Sequence, residues 1–400
     1  MNIDVVVTGH VDHGKSTLIG RLLYDSESIP SERLTEVQKL IQEYKKRFEF
    51  AYFIDSFEDE MKEERTIDTT AAIFKGKKNT FTVTDVPGHK EFLKNMLTGA
   101  SHADVAVSVI SAVDGIQEQT RRHLFLLKLI GIKTIFVAVN KMDAIDYNEK
   151  QFTTIRSDVK KFLKSIGYLN STIIPISAMD GENVFKRSEL MPWYTGPTLI
   201  ESLDNVKLNE SCQTTRFVVQ DIYDVDSKSV VVGRLDSGSL RVGEILFFAP
   251  SGVKGEVKQI VVFGRDLDKA EKGDSIGIVT NCHVKRGDVG GLLKNRPNAV
   301  KEFLGESVFL EDGVKVGDTL SIRCGTSNVQ CKIKEIREKI NSETGQVVEE
   351  SAEKVNEDEA ATIVFSTEPV VVEKFSDIPE LGRFVLYKDR NIGVGVVLDA

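Results

Sequence analysis

A nine-residue segment near the N-terminus combines the groups that a phosphate site requires. Residues 9–17 read GHVDHGKST, follow the apolar run VVV at 5–7, and match the pattern G-x-x-x-x-G-K-[ST]. In such a loop the backbone N–H groups surround a phosphate, the lysine reaches the outer phosphates and the hydroxyl binds Mg²⁺. A helix beginning at Lys15 adds the positive end of its dipole. The predicted phosphate-binding residues are Asp12, His13, Gly14, Lys15, Ser16 and Thr17.

The alternative for this segment is a glycine-rich turn that binds nothing. Its position between a predicted strand and a predicted helix favours the phosphate site, because the loop then presents its N–H groups at a helix N-terminus. Ser16 is expected to be a Mg²⁺ ligand. His13 contributes through the position of its backbone, and His10 is packed or solvated rather than reactive.

A second segment predicts which base is bound. NKMD, residues 140–143, closes the apolar run TIFVAVN. The carboxylate of Asp143 can accept both N1–H and the exocyclic amine of guanine, a donor pair that adenine lacks. Lys141 can lie along the base, and Asn140 can tie this loop to the phosphate side. Ser177, Ala178 and Met179 follow the next strand and can give a backbone N–H to O6 of guanine. The alternative, a helix-cap turn, is disfavoured because ligands of open α/β sheets bind at this strand edge.

The third segment, DVPGH at residues 85–89, predicts the chemistry. Asp85 can hold Mg²⁺ through a water molecule, and the N–H of Gly88 can contact a γ-phosphate. His89 stands where an attacking water must be oriented, although a histidine that only caps the next helix is the alternative. Gly88, His89 and Lys15 are therefore the predicted catalytic residues for hydrolysis of GTP to GDP and phosphate.

The hydrophobic pattern changes near residue 205 and predicts the domain organisation. Up to that point five predicted strands (3–8, 80–85, 105–110, 134–139, 172–176) alternate with four predicted helices (15–24, 31–48, 117–130, 149–166). This alternation is typical of a mostly parallel sheet with helices on both faces. After residue 209 only strands and turns follow, as in two small β-barrels. The predicted domains are 1–208, 209–297 and 298–400.

Composition excludes several classes of protein. The 400 residues carry a net charge of −9, which disfavours broad, nonspecific nucleic-acid binding. No apolar run approaches the roughly 20 residues of a membrane span, and no signal peptide is recognised, so we expect no membrane partner. The four cysteines form no CxxC pair, which disfavours a zinc site and suits a reducing, cytoplasmic environment. The acidic stretch VVEESAEKVNEDEA is expected to be a solvated loop or edge.

The three motifs, with the strand-rich second half, resemble the translation-factor GTPases. VVVGRLDSGSLRVGE is similar to the second domain of that family, and EPVVVEKFSDIPELGRFVLY to the third. The resemblance therefore covers the whole chain and implies a GTP/GDP-binding, Mg²⁺-dependent GTPase. Two branches compete. One contains elongation factor Tu and its counterparts, which carry aminoacyl-tRNA to the ribosome. The other is the GTPase subunit of sulfate adenylyltransferase, which couples GTP hydrolysis to adenylyl transfer from ATP to sulfate.

Three features favour the sulfate-activation branch. Arg122, in QTRRH, stands where elongation factors usually carry Glu, and both TIDTT at 66–70 and GHKEFLKNMLTGA are closer to that branch. Because the chain has one P-loop, that function requires a partner, the ATP-sulfurylase catalytic subunit. The alternatives are an elongation factor that delivers aminoacyl-tRNA, and a nucleotide-gated interaction module with little hydrolysis.

One departure from the family bears on hydrolysis. The family's Gly-Ile-Thr-Ile-Asp is replaced here by ERTID at 64–68. By resemblance, Thr66 supplies the second Mg²⁺ hydroxyl. Arg65 replaces the isoleucine that, with the residue at Val11, forms an apolar gate beside the catalytic histidine. Asp12 matches a family position that can hold a monovalent cation near the phosphates.

We expect His89→Ala to lower GTP turnover by about 10²-fold or more, because a positioned group no longer orients the attacking water. GTP binding should barely change. Arg65→Ile, which restores the apolar gate, should alter the intrinsic rate without altering affinity. Single-turnover hydrolysis of radiolabelled GTP measures both variants. A His89→Ala protein that hydrolyses GTP at the parent rate would favour the nucleotide-gated module.

Overall fold

The computed structural model describes residues 2–44, 49–53, 70–85, 103–207, 213–225, 228–262, 265–310 and 312–400. The chain divides into two compact units. One comprises Met1–Leu208 and Ser342–Gln346, and the other comprises Asn209–Asn341 and Val347–Ala400. In the described part of the chain, no helix is both long and apolar enough to cross a lipid bilayer.

A six-stranded sheet forms the centre of the first unit, in the order β2-β3-β1-β4-β5-β6. All neighbouring strands are parallel except β2, which runs antiparallel to β3 at one edge. The mostly parallel sheet predicted from the sequence is thus confirmed. The strands are β1 (Asn2–Gly9), β2 (Thr70–Lys75), β3 (Thr80–Asp85), β4 (Val105–Ser111), β5 (Thr134–Asn140) and β6 (Thr172–Pro175).

Helices and short helical turns cover this sheet. In the helix Glu149–Ser165, five apolar residues recur at helical spacing and are buried, and the side chain of Asn148 caps its first turn. The α-helices of this unit are Lys15–Asp25, Ser31–Tyr44, Glu118–Leu129, Glu149–Ser165 and Leu199–Asp204, and the 3₁₀ turns are Phe50–Phe53 and Met142–Ile145.

The edge hairpin β2–β3 brings Asp85 to the carboxyl edge of the sheet. Phe74 and Phe81, on its two strands, are fully buried with their ring centroids 5.1 Å apart. The hairpin turn is anchored by Asp204, whose carboxylate accepts hydrogen bonds from the N–H groups of residues 77, 78 and 79 at 2.8–3.1 Å. Because a buried carboxylate satisfies three successive N–H groups, it fixes the turn at the start of β3.

Two closed barrels of six strands make up the second unit, which confirms the two small β-barrels predicted from the sequence. In the first, the order β10-β15-β7-β8-β14-β11 closes through β10–β11, with β12 as an extra edge strand and β9–β13 as a separate ribbon. Its strands are β7 (Arg216–Val225), β8 (Lys228–Ser237), β9 (Ser239–Arg241), β10 (Ile245–Ala249), β11 (Val253–Val262), β12 (Arg265–Leu267), β13 (Lys269–Glu271), β14 (Ser275–Thr280) and β15 (Val289–Leu292).

The second barrel repeats this plan. The order β18-β23-β24-β16-β22-β19 closes through β18–β19, with β20 at the edge and β17–β21 as a ribbon. Its strands are β16 (Ala299–Phe309), β17 (Val314–Lys315), β18 (Thr319–Cys324), β19 (Ser327–Asn341), β20 (Val347–Ala352), β21 (Lys354–Val355), β22 (Glu359–Val371), β23 (Arg383–Lys388) and β24 (Arg390–Asp399). The 3₁₀ turn Leu293–Asn295 precedes it, and the short helix Pro379–Gly382 leads into β23.

An apolar cluster and a buried ion pair join the two barrels. Val218 and Val289 of the first barrel pack with Val371 and Leu381 of the second. The guanidinium of Arg216 is buried, pairs with Glu373 and donates to two backbone carbonyl oxygens. The predicted boundary at residue 297 lies between β15 and β16. Because both barrels belong to one compact unit, the division into three domains remains a proposal.

Candidate nucleotide-binding site

The phosphate-site segment forms a loop between β1 and the helix Lys15–Asp25. Gly14 is the N-cap of this helix and has a φ of 87°, a left-handed conformation that favours glycine. A Cβ atom at Gly14 would lie 2.4 Å from Nδ2 of Asn140. Asp12 also has a positive φ, of 60°. The loop therefore turns sharply and is packed against the NKMD segment, which explains why a glycine precedes Lys15.

Lys15 is held inside this loop rather than in solvent. Its side chain is 7% exposed, and Nζ donates a 3.0 Å hydrogen bond to the carbonyl oxygen of His10. Burial lowers the pKa of Lys15, and the negative charges of Asp85 and Asp12 oppose that shift. A buried ammonium group is stabilised by anionic partners. The outer phosphates of a nucleotide are partners of that kind, so the environment of Lys15 fits the predicted role.

Ser16 and Asp85 meet at the carboxyl edge of the sheet. The hydroxyl of Ser16 donates to Oδ2 of Asp85 at 2.8 Å. A hydroxyl and a carboxylate are hard oxygen donors of the kind that Mg²⁺ selects, and Mg²⁺ usually keeps several waters. Among the residues that the structure describes, no group of three or more His, Cys, Asp or Glu side chains could hold a metal. The donor set thus fits a Mg²⁺ that shares its coordination with phosphate and water.

Asn140 connects the two sides of the site. Its side chain is 3% exposed, Nδ2 donates to the carbonyl oxygen of His13 at 2.9 Å, and Oδ1 accepts the N–H of Ala178 at 2.9 Å. The last residue of β5 therefore ties the phosphate loop to the loop that follows β6. Removing either bond would leave a buried polar group without a partner.

The residues predicted to read the base lie together at the same edge. Lys141 has a φ of 63°, and Asp143 is exposed in the 3₁₀ turn that follows it. The N–H of Met142 donates to the carbonyl oxygen of Ile176 at 3.2 Å, which brings this turn beside the Ser177–Ala178–Met179 segment.

Hydrogen bonds within residues 177–181 narrow the proposed donor for the base. The N–H of Ala178 is engaged by Asn140, and the N–H of Asp180 donates to Oγ of Ser177. Within residues 177–181, the N–H of Met179 is thus the donor we propose for O6 of guanine. Met179 is exposed, and its carbonyl oxygen accepts a hydrogen bond from Arg21 at 3.0 Å, which orients the peptide group that follows it.

Two histidine side chains near the phosphate loop, His13 and His123, are buried and neutral. Burial is the main cause that lowers the pKa of His13 to about 4, and Nδ1 of His13 lies 3.3 Å from the carbonyl oxygen of Val109. His123, on the helix Glu118–Leu129, is 1% exposed, and neither of its ring nitrogens has a hydrogen-bond partner among the described residues. Burial lowers the pKa of His123 to about 3, with smaller contributions from Lys15, His10 and His13. Neither of these two rings is poised for proton transfer near neutral pH.

Several predicted residues lie outside the described part of the chain. Thr66, the expected second Mg²⁺ hydroxyl, is one of them, as are Gly88 and His89, the expected γ-phosphate and water contacts. Arg65, which replaces the gate isoleucine, also lies there. Their roles stay predictions.

A P-loop on a mostly parallel sheet, followed by two six-stranded barrels, defines a P-loop GTPase with the translation-factor architecture. Residues 1–210 match the family model described as the elongation factor Tu GTP binding domain, and residues 307–398 match the GTP-eEF1A C-terminal domain-like family. The chain belongs to the elongation factor Tu/1-alpha family of GTPases.

Relatives at full length support the same assignment. The chain is 42% identical over 412 residues to the elongation factor 1-alpha of Archaeoglobus fulgidus. This match covers 100% of this chain and 97% of the relative. It is 42% identical over 421 residues to the elongation factor 1-alpha of Aeropyrum pernix, and the match covers 100% of this chain and 96% of the relative. It is 39% identical over 414 residues to that of Pyrococcus furiosus, with 99% and 96% covered.

These relatives show that the sulfate-activation interpretation of the sequence is wrong, together with its ATP-sulfurylase partner. Arg122, which favoured that interpretation, pairs with Glu118 one turn away on the same helix at 3.0 Å and with Glu343 in the Ser342–Gln346 segment. Ion pairs of this kind are compatible with any branch of the family. Arg122 therefore does not distinguish one reaction from another.

We expect Asp143→Asn to weaken GTP binding and to favour xanthosine nucleotides, whose C2 oxygen offers an acceptor to the new amide. Loss of a charge-assisted bidentate contact should cost roughly 2–4 kcal/mol. Competition binding with GTP, XTP and ATP measures the preference. An unmodified protein in which ATP competes equally with GTP would contradict the role of Asp143.

The buried state of His123 should make stability depend on pH. The unfolded chain binds a proton near pH 6.5, whereas folded His123 stays neutral down to about pH 3. The contribution of His123 to the free energy of unfolding is therefore complete above pH 6.5 and is lost as the pH falls toward 3. When the pH is lowered from 7.5 to 5.5, the free energy of unfolding of His123→Leu should fall by about 1.4 kcal/mol less than that of the parent. Urea unfolding at both pH values with saturating GDP measures this, and equal losses would show that His123 is protonated in the folded state.

Proposed function

We propose that this protein is a translation elongation GTPase that delivers aminoacyl-tRNA to the ribosome in its GTP-bound state. The observation that carries the proposal is the full-length match to proteins named elongation factor 1-alpha, which spans the GTPase domain and both barrels. A match confined to the first 210 residues would support only nucleotide binding, whereas a second family model matches the second barrel and the full-length relatives span the first barrel as well.

The geometry of the site supports the nucleotide-dependent part of this function. The backbone of residues 12–17 and Nζ of Lys15 hold the phosphates, and Asp143 with the Met179 N–H reads guanine. Ser16, Thr66 and, through water, Asp85 would hold Mg²⁺, which would neutralise charge on the phosphoryl oxygens. A monovalent cation beside the carboxylate of Asp12 is part of the same proposal.

We assign hydrolysis, on the family resemblance, to Lys15 and to two residues that follow Asp85 in the sequence, Gly88 and His89. His89 orients the attacking water, and the Gly88 N–H contacts the γ-phosphate. Lys15 opposes the negative charge that develops on the leaving phosphate oxygens. GTP hydrolysis then ends the carrier state, because the phosphate that the loops contact is gone.

We expect the GTP-bound protein to protect the ester bond of aminoacyl-tRNA from spontaneous hydrolysis, and the GDP-bound protein to protect it far less. The physical reason is that a carrier must bury the aminoacyl end while it is delivered. Release of a radiolabelled amino acid from aminoacyl-tRNA, with and without the protein, measures protection. Deacylated tRNA competing as well as aminoacyl-tRNA, or equal ester lifetimes in both nucleotide states, would exclude the carrier function.

A further inference from the structure

Tyr147 occupies a strained position just after the turn that carries Asp143. Its φ is 54°, and that of the preceding Asp146 is 51°, so two consecutive non-glycine residues adopt the left-handed conformation. Such residues are uncommon, and they persist where the surrounding contacts hold them. The contacts of Tyr147 therefore identify what the strain maintains.

Three hydrogen bonds fix Tyr147, from its backbone and its side chain. Its N–H donates to the carbonyl oxygen of Met142 at 2.8 Å, within the base-reading turn. Its carbonyl oxygen accepts a bond from Nε1 of Trp193 at 3.2 Å, and its hydroxyl donates to Oδ2 of Asp180 at 2.7 Å. One residue thus bonds to the turn of Asp143, to the loop after β6 and to the segment that contains Trp193.

Asp180 is itself bonded to the loop that faces the base. Oγ of Ser177 donates to Oδ2 of Asp180 at 3.3 Å, and the N–H of Asp180 donates back to Oγ of Ser177 at 3.1 Å. Partial burial and the bond to Asp180 raise the pKa of Tyr147, with further contributions from the charges of Asp180 and Asp143. The hydroxyl is therefore a stable donor at neutral pH.

We propose that Tyr147 is a positioning residue that fixes the spacing between the two base-reading segments, Asp143 on one side and residues 177–179 on the other, and thereby slows release of the guanine nucleotide. Asn140 joins these segments beneath the site, and the Tyr147–Asp180 bond closes them at its exposed side. This inference rests on the proposed reading of guanine by Asp143 and Met179.

The test compares two tyrosine-to-phenylalanine variants of the full-length protein. Tyr147→Phe removes the bond to Asp180. The matched control, Tyr168→Phe, removes a 2.6 Å bond from a buried hydroxyl to the carbonyl oxygen of Ile132 in the same unit. Release of a fluorescent GDP analogue, chased with excess GDP in Mg²⁺ buffer, gives the dissociation rate. Thermal unfolding with saturating GDP gives stability.

Tyr147→Phe should speed release about fivefold, as expected for loss of one hydrogen bond of ordinary strength, with little change in stability. Tyr168→Phe should lower the unfolding temperature and leave the release rate unchanged. Asp180→Asn keeps an acceptor for the hydroxyl and should release GDP near the parent rate. Asp180→Ala should release GDP at least as fast as Tyr147→Phe, because it also removes the bond from Ser177.

Two results would overturn the positioning role: a parent release rate in Tyr147→Phe, or faster release in both tyrosine variants in proportion to lost stability. Failure of the guanine assignment is seen separately. In that case ATP competes equally with GTP in the unmodified protein, whatever Tyr147→Phe does. A Tyr147→Phe variant that still prefers GTP and releases GDP at the parent rate would disprove only the role of Tyr147.

Discussion

The paired hydrogen bonds of Asn140 are the constraint on which the nucleotide site depends. One amide group, at the end of β5 and almost fully buried, binds the phosphate loop through His13 and the loop after β6 through Ala178. Both bonds join buried groups of the protein, so a movement of either loop would leave buried polar atoms without a hydrogen-bond partner. The close approach of Gly14 to the Asn140 amide follows from the same arrangement. The loops proposed to bind phosphate and to read the base are therefore joined through one side chain.

The charged groups of the site, Lys15 and Asp85, lie with Asn140 at the carboxyl edge of the sheet. β1 ends at the loop that buries Lys15, β3 ends at Asp85, and β5 ends at Asn140. Parallel strands bring these ends to one edge, which explains why residues far apart in sequence form one site. Asp85 accepts a hydrogen bond from the Ser16 hydroxyl, and its negative charge favours the ammonium form of Lys15. The anchored β2–β3 turn holds the strand that places this carboxylate.

Much of this arrangement could be predicted from the sequence, because periodicity and turn residues act locally. The five predicted strands and four predicted helices agree with the structure to within a residue or two wherever they are described. The edge strand β2 was missed, since it alternates weakly and takes its place from pairing with β3 and from the burial of Phe74. The contacts of Tyr147 with Asp180 and Trp193 were also missed. They join residues 33 and 46 positions apart, and no local pattern encodes them.

The branch of the family was predicted wrongly for a physical reason. Arg122 is a single side chain, and its ion pairs with Glu118 and Glu343 are compatible with many functions. Sequence identity to the relatives over the whole chain depends on residues of the cores and loops of both units. It therefore distinguishes branches that share the same nucleotide chemistry.

The most direct test of the connection through Asn140 is amide hydrogen exchange, measured by mass spectrometry with saturating GDP. The peptides of interest cover residues 9–18 and 173–183. Asn140→Ala should speed exchange in both peptides, because it removes both bonds. Asn140→Asp keeps an acceptor for the Ala178 N–H but loses the donor to His13, so only the phosphate-loop peptide should exchange faster. If Asn140→Ala leaves both peptides exchanging at the parent rate, the two loops are held by other contacts and the account is wrong.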